Sequence, residues 1–233
     1  MTVLMMIAIW MLTFTCCRAL LQAPQASPAL RASLLVASAA GLDGVESTDY
    51  NFYVKRGMQR FKQKRVAESI EDFDQATALN PQIAPYMWQR GLSLYYENRF
   101  EEGAKQFRKD VQVNPNDTEE AIWTFLCEAQ LPNVGFDGAQ KQLLSIPNER
   151  RPVMRTVYNL FKGEATCEDV ARSGTVSEGA FFYATLYLGL YSEAKGETDL
   201  AKNYINSAVK SKYGISGDYM WHLAAVHKFV RNW

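Results

Sequence analysis

The sequence predicts an all-α fold, a solenoid of paired antiparallel helices, on three observations. The first is a repeat: "YVKRGMQRFKQKRVAESIEDFDQATALNP" at 53–81 is followed, 34 residues on, by "MWQRGLSLYYENRFEEGAKQFRKDVQVNP" at 87–115, so Gly57 recurs as Gly91, Phe73 as Phe107 and Asn80-Pro81 as Asn114-Pro115. The second is period. Apolar and small residues fall at Tyr53, Gly57 and Phe61, then at Val66, Ser69, Ile70, Phe73, Ala76 and Leu79, and spacings of three and four line one side of a helix. The third is punctuation: "KQKR" separates the two sets, and Asn-Pro ends each unit because proline disfavours a helical residue before it and has no N–H to donate. Each unit is thus helix, turn, helix, and a lone pair cannot bury both its faces, so pairs must stack.

Composition allows this and narrows the function. The chain has 233 residues, 48% of them hydrophobic, with 25 basic and 25 acidic side chains. That is enough apolar material for a sizeable core and too much for disorder. A formal net charge of zero exerts no global pull on nucleic acid or an anionic membrane. Of four cysteines, Cys16 and Cys17 lie in the leading segment, and Cys127 and Cys167 lack metal-ligand spacing.

The leading segment differs in kind. "VLMMIAIWMLTFT" is apolar but shorter than the roughly 20 residues a spanning helix needs, and Cys17-Arg18-Ala19 offers small residues for cleavage. Residues 1–19 read as a signal peptide. Residues 20–48 are rich in Ala, Ser and Leu with no acid before Asp43, the composition of a transit peptide or a disordered linker. Together they resemble the bipartite presequence of algae with secondary plastids, which implies a plastid destination by the secretory route; the alternative is secretion or an endomembrane lumen. The mature chain is expected to carry no transmembrane span.

From residue 49 onward the repeats can be set against a known pattern. Gly57 and Gly91 sit where the first helix of a pair crosses the second, with Ser69 and Gly103 as the matching small side chains. These residues resemble the tetratricopeptide repeat, a 34-residue helix pair with small residues at its eighth and twentieth positions, an aromatic at its twenty-fourth and proline at its thirty-second. The first repeat, 50–83, matches with Gly57, Ser69, Phe73, Ala76 and Pro81; the second, 84–117, with Gly91, Gly103, Phe107 and Pro115. A partial repeat at 182–215 keeps Leu188-Gly189, Gly196, Ala201, Ile205 and Ala208, and a last helix is expected over 217–231. Arg56 is expected to clamp Asp72 across the first pair, as in a common variant of that repeat.

Residues 118–180 are degenerate. "PNDTEEAIWTFLCEAQL" opens with Asp117 and Glu120 at capping-box spacing, then runs Ala121, Ile122, Phe125, Leu126 and Ala129 along one side, with Phe125 where the crossing glycine should be. Short helices are expected over 135–145 and 153–161 and within "GEATCEDVARSG". This order of two good repeats, Trp123-x-Phe125-Leu126-x-Glu128, Leu160-Phe161-x-Gly163 and Tyr187-Leu188-Gly189 resembles the NlpI-type tetratricopeptide proteins, bacterial envelope lipoproteins with similar chains in photosynthetic eukaryotes. The resemblance covers about residues 50–230. It implies a non-enzymatic, often dimeric adaptor that brings hydrolases to their substrates, with no catalytic residue to transfer.

No catalytic signature competes with that. The chain has no G-x-S-x-G, phosphate-cradling glycine loop, H-E-x-x-H or Cys-x-x-Cys, and His222 and His227 are five apart on a helix and do not converge. No cofactor or metal site is expected. The basic run Lys55, Arg56, Arg60, Lys62, Lys64 and Arg65 lacks the spaced aromatics of a nucleic-acid surface and reads as a solvated turn.

The candidate site is the concave groove that first helices line, giving Val54, Met58 and Phe61, then Pro85, Trp88, Leu92 and Tyr95, then Glu119, Ile122, Leu126 and Ala129. Val54, Met58, Phe61, Trp88, Leu92, Tyr95, Ile122 and Leu126 make it apolar and aromatic, suited to a protein or peptide partner and unlike a chaperone carboxylate clamp. The groove is either open to such a partner or filled by the chain's own later helices, residues 176–195 among them. The expected role is a scaffold or adaptor, with a permanent structural subunit of a larger complex as the alternative. A fluorescent protein fused to residues 1–42 is expected to reach plastids and one fused to residues 1–19 to stop in the secretory system; cytosolic fluorescence from the longer fusion would reject both secretory readings.

Overall fold

Asp49 opens the first helix by accepting a hydrogen bond from the Asn51 N–H at 2.9 Å, the side-chain cap that an N-terminal turn requires. A computed structural model describes residues 43 to 233, so the expectations for residues 1–42 lie outside the described residues. Residues from Gly44 to Trp233 form one unit. Among the described residues the regular structure is entirely helical, in eleven α-helices and three short 3-10 segments. The first two pairs are α1 (Tyr50–Lys62) with α2 (Val66–Leu79) and α3 (Trp88–Tyr96) with α4 (Phe100–Val113). Then come α5 (Thr118–Ala129), α6 (Gly135–Lys141), α7 (Pro152–Lys162) and α8 (Cys167–Ser173). The chain closes with α9 (Glu178–Ala194), α10 (Thr198–Lys210) and α11 (Tyr219–Val230).

One crossing geometry recurs. A Cβ on Gly57 would lie 2.7 Å from the Phe73 ring, and one on Gly91 would lie 2.6 Å from the Phe107 ring. Both glycines meet an aromatic sixteen residues later, on the partner helix. Gly189 repeats the relation against Ile205, where a Cβ would come within 2.8 Å, so α9 and α10 cross as the first two pairs do, with a branched aliphatic in place of the ring. Across the first pair Arg56 clamps Asp72 through Nε at 3.0 and 3.1 Å and through a terminal nitrogen at 2.7 Å. Arg60 adds a contact of 3.0 Å to the same carboxylate. In the second pair Gln106 stands where Asp72 stood, and Arg90 turns back to Asp74 at 2.5 Å. The basic run therefore spends much of its charge locally, since Arg65 also pairs with Glu68.

After Pro115 the arrangement changes for a visible reason. Phe125 fills the place of a crossing glycine, and its ring meets Phe136 of α6 and Phe161 of α7 edge-on at 5.2 and 5.1 Å, while the close approach to α5 comes from α4, where a Cβ on Gly103 would lie 2.9 Å from Cys127 Sγ. The start of α5 also departs from the sequence reading. Asp117 does cap the helix, accepting from the N–H groups of Glu119 and Glu120 at 3.0 and 3.4 Å, but the Glu120 side chain does not return to the cap and is buried. The Asp117 N–H bonds instead to the Asn114 carbonyl at 3.1 Å, which leaves Glu120 nothing to accept there. A reciprocal capping box does occur at Thr166 and Asp169, opening α8.

Helix α9 fills the inner side. Every residue from Ala184 to Ser192 is buried, so no face of this stretch meets solvent. It packs on α10, α5 and α7. Helix α11 then reaches the first repeat: Tyr219 stacks on Phe61 with ring centres 5.4 Å apart and meets Trp88 edge-on at 5.3 Å. His227, fully buried, lies 3.1 Å from the Tyr96 hydroxyl through Nδ1, and burial lowers its pKa to about 4, so it is neutral in this contact.

Replacing Gly57 or Gly91 by Leu must displace a ring that is itself buried, and the expected loss of stability is about 1 to 3 kcal/mol or more. The same leucine at exposed Lys202 of α10 should shift stability by less than about 0.5 kcal/mol. Denaturant midpoints check this, and equal midpoints at all three positions would reject the crossing role.

Candidate functional site

Five of the eight predicted groove residues are core. Phe61, Leu92, Tyr95, Ile122 and Leu126 are buried, covered by the returning helices, so they offer no surface to a partner and the open-groove expectation is corrected at each. The cover is specific as well as apolar: the Tyr95 hydroxyl donates to Glu193 of α9 at 3.3 Å, and Arg231 beyond α11 pairs with the same carboxylate. Val54, Met58 and Trp88 remain half-buried. The filling predicted for residues 176–195 is what α9 provides.

What survives of the groove is a cavity of about 410 Å³ between α3, α4 and the start of α5 on one side and α9 and α11 on the other. Trp88 and Leu92 line it as the sequence led one to expect, joined by the rings of Phe107, Trp123, Tyr183 and Tyr219 and by Met220. Four carboxylates complete the wall: Asp117, Glu119, Glu120 and Asp218. No lysine, arginine or histidine lines it. The partly exposed Trp88, Tyr183, Asp117 and Asp218 mark where it meets solvent.

Each carboxylate is held differently. Asp117 and Asp218 are the N-caps of α5 and α11, and Asp218 also accepts from the Tyr213 hydroxyl at 2.7 Å. Glu119 pairs with Arg151 at 2.6 Å and accepts from the Tyr187 hydroxyl at 3.0 Å. Arg151 is anchored from behind by Glu149 at 2.8 Å; burial would raise the Glu149 pKa, but hydrogen bonds from Arg151 hold it at about 2. Glu120 is the exception. It is 7% exposed, and its Oε2 has no hydrogen-bond partner. Two further wall residues carry buried polar atoms with no partner, Trp123 at its indole Nε1 and Tyr219 at its hydroxyl.

The charge of Glu120 is opposed on every side. Burial first, then Asp117, Asp110 and Glu119, push its pKa up to about 9. Asp110 of α4, buried beside it, is raised to about 8, chiefly by burial, against which a long 3.5 Å hydrogen bond from Gln106 works only in part. Glu119 is raised by burial too, although Arg151 opposes the change. With nothing added, this cavity is a cluster of acids short of positive charge.

Sequence reasoning placed Trp88, Leu92 and Glu119 on the groove and missed the rest. Glu120 was hidden because its spacing from Asp117 also fits a cap, and Tyr183, Asp218 and Tyr219 because they arrive from segments more than 60 residues further along the chain. Among the described residues no three His, Cys, Asp or Glu side chains converge as a metal site, and no helix is long and apolar enough to cross a membrane. No protein-family model matches the chain, and no curated protein matches it.

The pH dependence follows from the direction of the Glu120 shift. A carboxyl whose pKa is raised in the folded chain favours folding in full below its unfolded value of about 4.5, and that contribution is lost as pH climbs toward about 9. Glu120→Gln, which cannot ionise, should match the parent chain at pH 5 and exceed it by on the order of 1 to 3 kcal/mol at pH 8. A difference that stays flat between those pH values would place Glu120 in water.

Proposed function

We propose that this chain is a non-enzymatic adaptor of the tetratricopeptide type, similar to the NlpI-type proteins, that recognises a protein partner in a plastid or envelope compartment. The observation that carries this reading is the crossing repeated three times, Gly57 on Phe73, Gly91 on Phe107 and Gly189 on Ile205, each with the same sixteen-residue offset. Such a scaffold holds a row of helices rigidly while leaving side chains at its rim free to vary. Recognition would centre on the mouth of the acidic cavity, where Trp88 offers a half-buried ring of the kind that dominates interface energetics.

Two points favour an adaptor over the other readings. The cavity wall contains no serine, threonine, cysteine or histidine, so an aliphatic hydroxyl or thiol nucleophile activated by an imidazole base has no candidate there. The four most exposed of the large apolar side chains, Ile215, Val176, Tyr86 and Phe229, stand on four separate segments rather than as a stripe along one helix, unlike the broad apolar face of a permanent subunit.

Affinity capture from the native compartment with Trp88→Ala and Lys202→Ala baits tests the proposal. A partner retained by the second and lost by the first, with Trp88→Ala still folded, is the expected result. Leu92→Ala should instead lose about 2 to 5 kcal/mol, because it truncates a fully buried side chain. A partner set unaffected by Trp88→Ala would overturn recognition at the cavity mouth, and a chain that precipitates whenever its neighbours are removed would favour the subunit alternative.

A further inference from the structure

We propose that the cavity binds an organic ammonium group, held by the Glu120 carboxylate and enclosed by the rings of Trp88, Trp123 and Tyr219. This rests on the adaptor reading only in where it expects the ammonium to come from, a lysine side chain of the partner; the chemistry itself stands on the cavity.

Glu120 makes the strongest demand. It is more than nine-tenths buried on the cavity wall with one oxygen unpartnered, no cation lines that wall, and Arg151, from outside it, pairs with Glu119 and not with Glu120. An unpaired buried carboxyl of this kind costs several kcal/mol unless a cation or a proton arrives. Water can complete hydrogen bonds there but cannot supply the missing charge.

The rings decide which kind of cation. A hard metal ion needs six or more oxygens in a shell, and no set of side chains here converges in that way. Aromatic faces instead attract organic cations, lysine ammonium among them, through their negative quadrupole. The rings of this cavity already do so at its edges: the Lys62 ammonium lies 5.5 Å from the Tyr219 ring centre and the Arg151 guanidinium lies 6.0 Å from that of Tyr183, although neither residue lines the cavity. A volume of about 410 Å³ is at the small end for ligand sites and suits one amine side chain rather than a peptide segment.

An ammonium group has three donors and no acceptor. Glu120 Oε2 and the Tyr219 hydroxyl oxygen can accept two of them, and both atoms lack partners. The indole Nε1 of Trp123, also unpartnered, is a donor and asks for an acceptor oxygen on the same ligand. A lysine residue in a peptide provides both, the ammonium and a backbone carbonyl; a simple alkylamine provides only the first.

The test titrates the purified full chain, following tryptophan fluorescence and calorimetric heat, with n-butylammonium against n-butanol, and with the peptide Gly-Gly-Lys-Gly-Gly against its Nε-acetyl-lysine form. The expected result is that each cation binds at least about tenfold more tightly than its neutral counterpart, and that Glu120→Gln, with unchanged circular dichroism, removes that preference. Tighter binding of the lysine peptide than of butylammonium assigns the ammonium to a protein side chain, and the reverse assigns it to a free amine. Equal binding of charged and neutral probes, no binding of either, or a cation preference that survives Glu120→Gln would overturn the proposal. If the probes fail while Trp88→Ala still loses a captured partner, the adaptor reading stands and the ammonium site falls.

Discussion

A helix with apolar side chains on every side can be accommodated only by burial on every side, and α9 imposes that condition on this chain. Its middle, from Ala184 to Ser192, has no exposed residue. One face is taken by α10 through the Gly189 crossing, and α5 and α7 cover others. The regular stacking of the first two pairs must therefore give way after Pro115, since a row of identical pairs would leave its inner side open. Phe125 in place of a glycine is the local means: its ring packs against Phe136 of α6 and Phe161 of α7.

The helices were legible in the sequence wherever two spacings agreed. Gly57 with Phe73 and Gly91 with Phe107 gave both a period and a crossing point, and Arg56 with Asp72 gave a polar check on the same register. The Gly189 crossing was readable only in part, because Ile205 is a weaker marker than an aromatic. Less legible was which side chains would remain accessible. Leu92 and Tyr95 carry the same helical spacing whether a groove is open or filled, and burial is decided by residues 98 positions further on, such as Glu193 meeting Tyr95. Local pattern has no access to that kind of contact.

Glu120 shows the same limit for chemistry. Three residues after an Asp, at the start of a helix, a glutamate ordinarily returns to the cap and is unremarkable. Here the Asn114 carbonyl takes the Asp117 N–H, and the Glu120 side chain lines the same cavity as Trp88, Trp123 and Tyr219. Asp117 and Glu119 are its neighbours in sequence, but nothing in the sequence marks Asp218 as one, since the fold brings it to the same cavity. Arg151 offsets Glu119 alone, so the penalty for ionising falls most heavily on Glu120, the member without an ion-pair partner.

The stacking of Tyr219 on Phe61 joins α11 to α1, the last described helix to the first. Open arrays of helix pairs touch only their neighbours, so they can fray from an end and unravel one unit at a time, with stability close to a sum over repeats. A row whose ends meet has no free end to fray. Contacts spanning most of the chain must form before the inner helix is fully enclosed, which raises contact order and slows folding relative to an open array of the same length. The compensation is cooperativity: loosening α11 exposes α1, α3 and α9 together, so the molecule is expected to open as a whole.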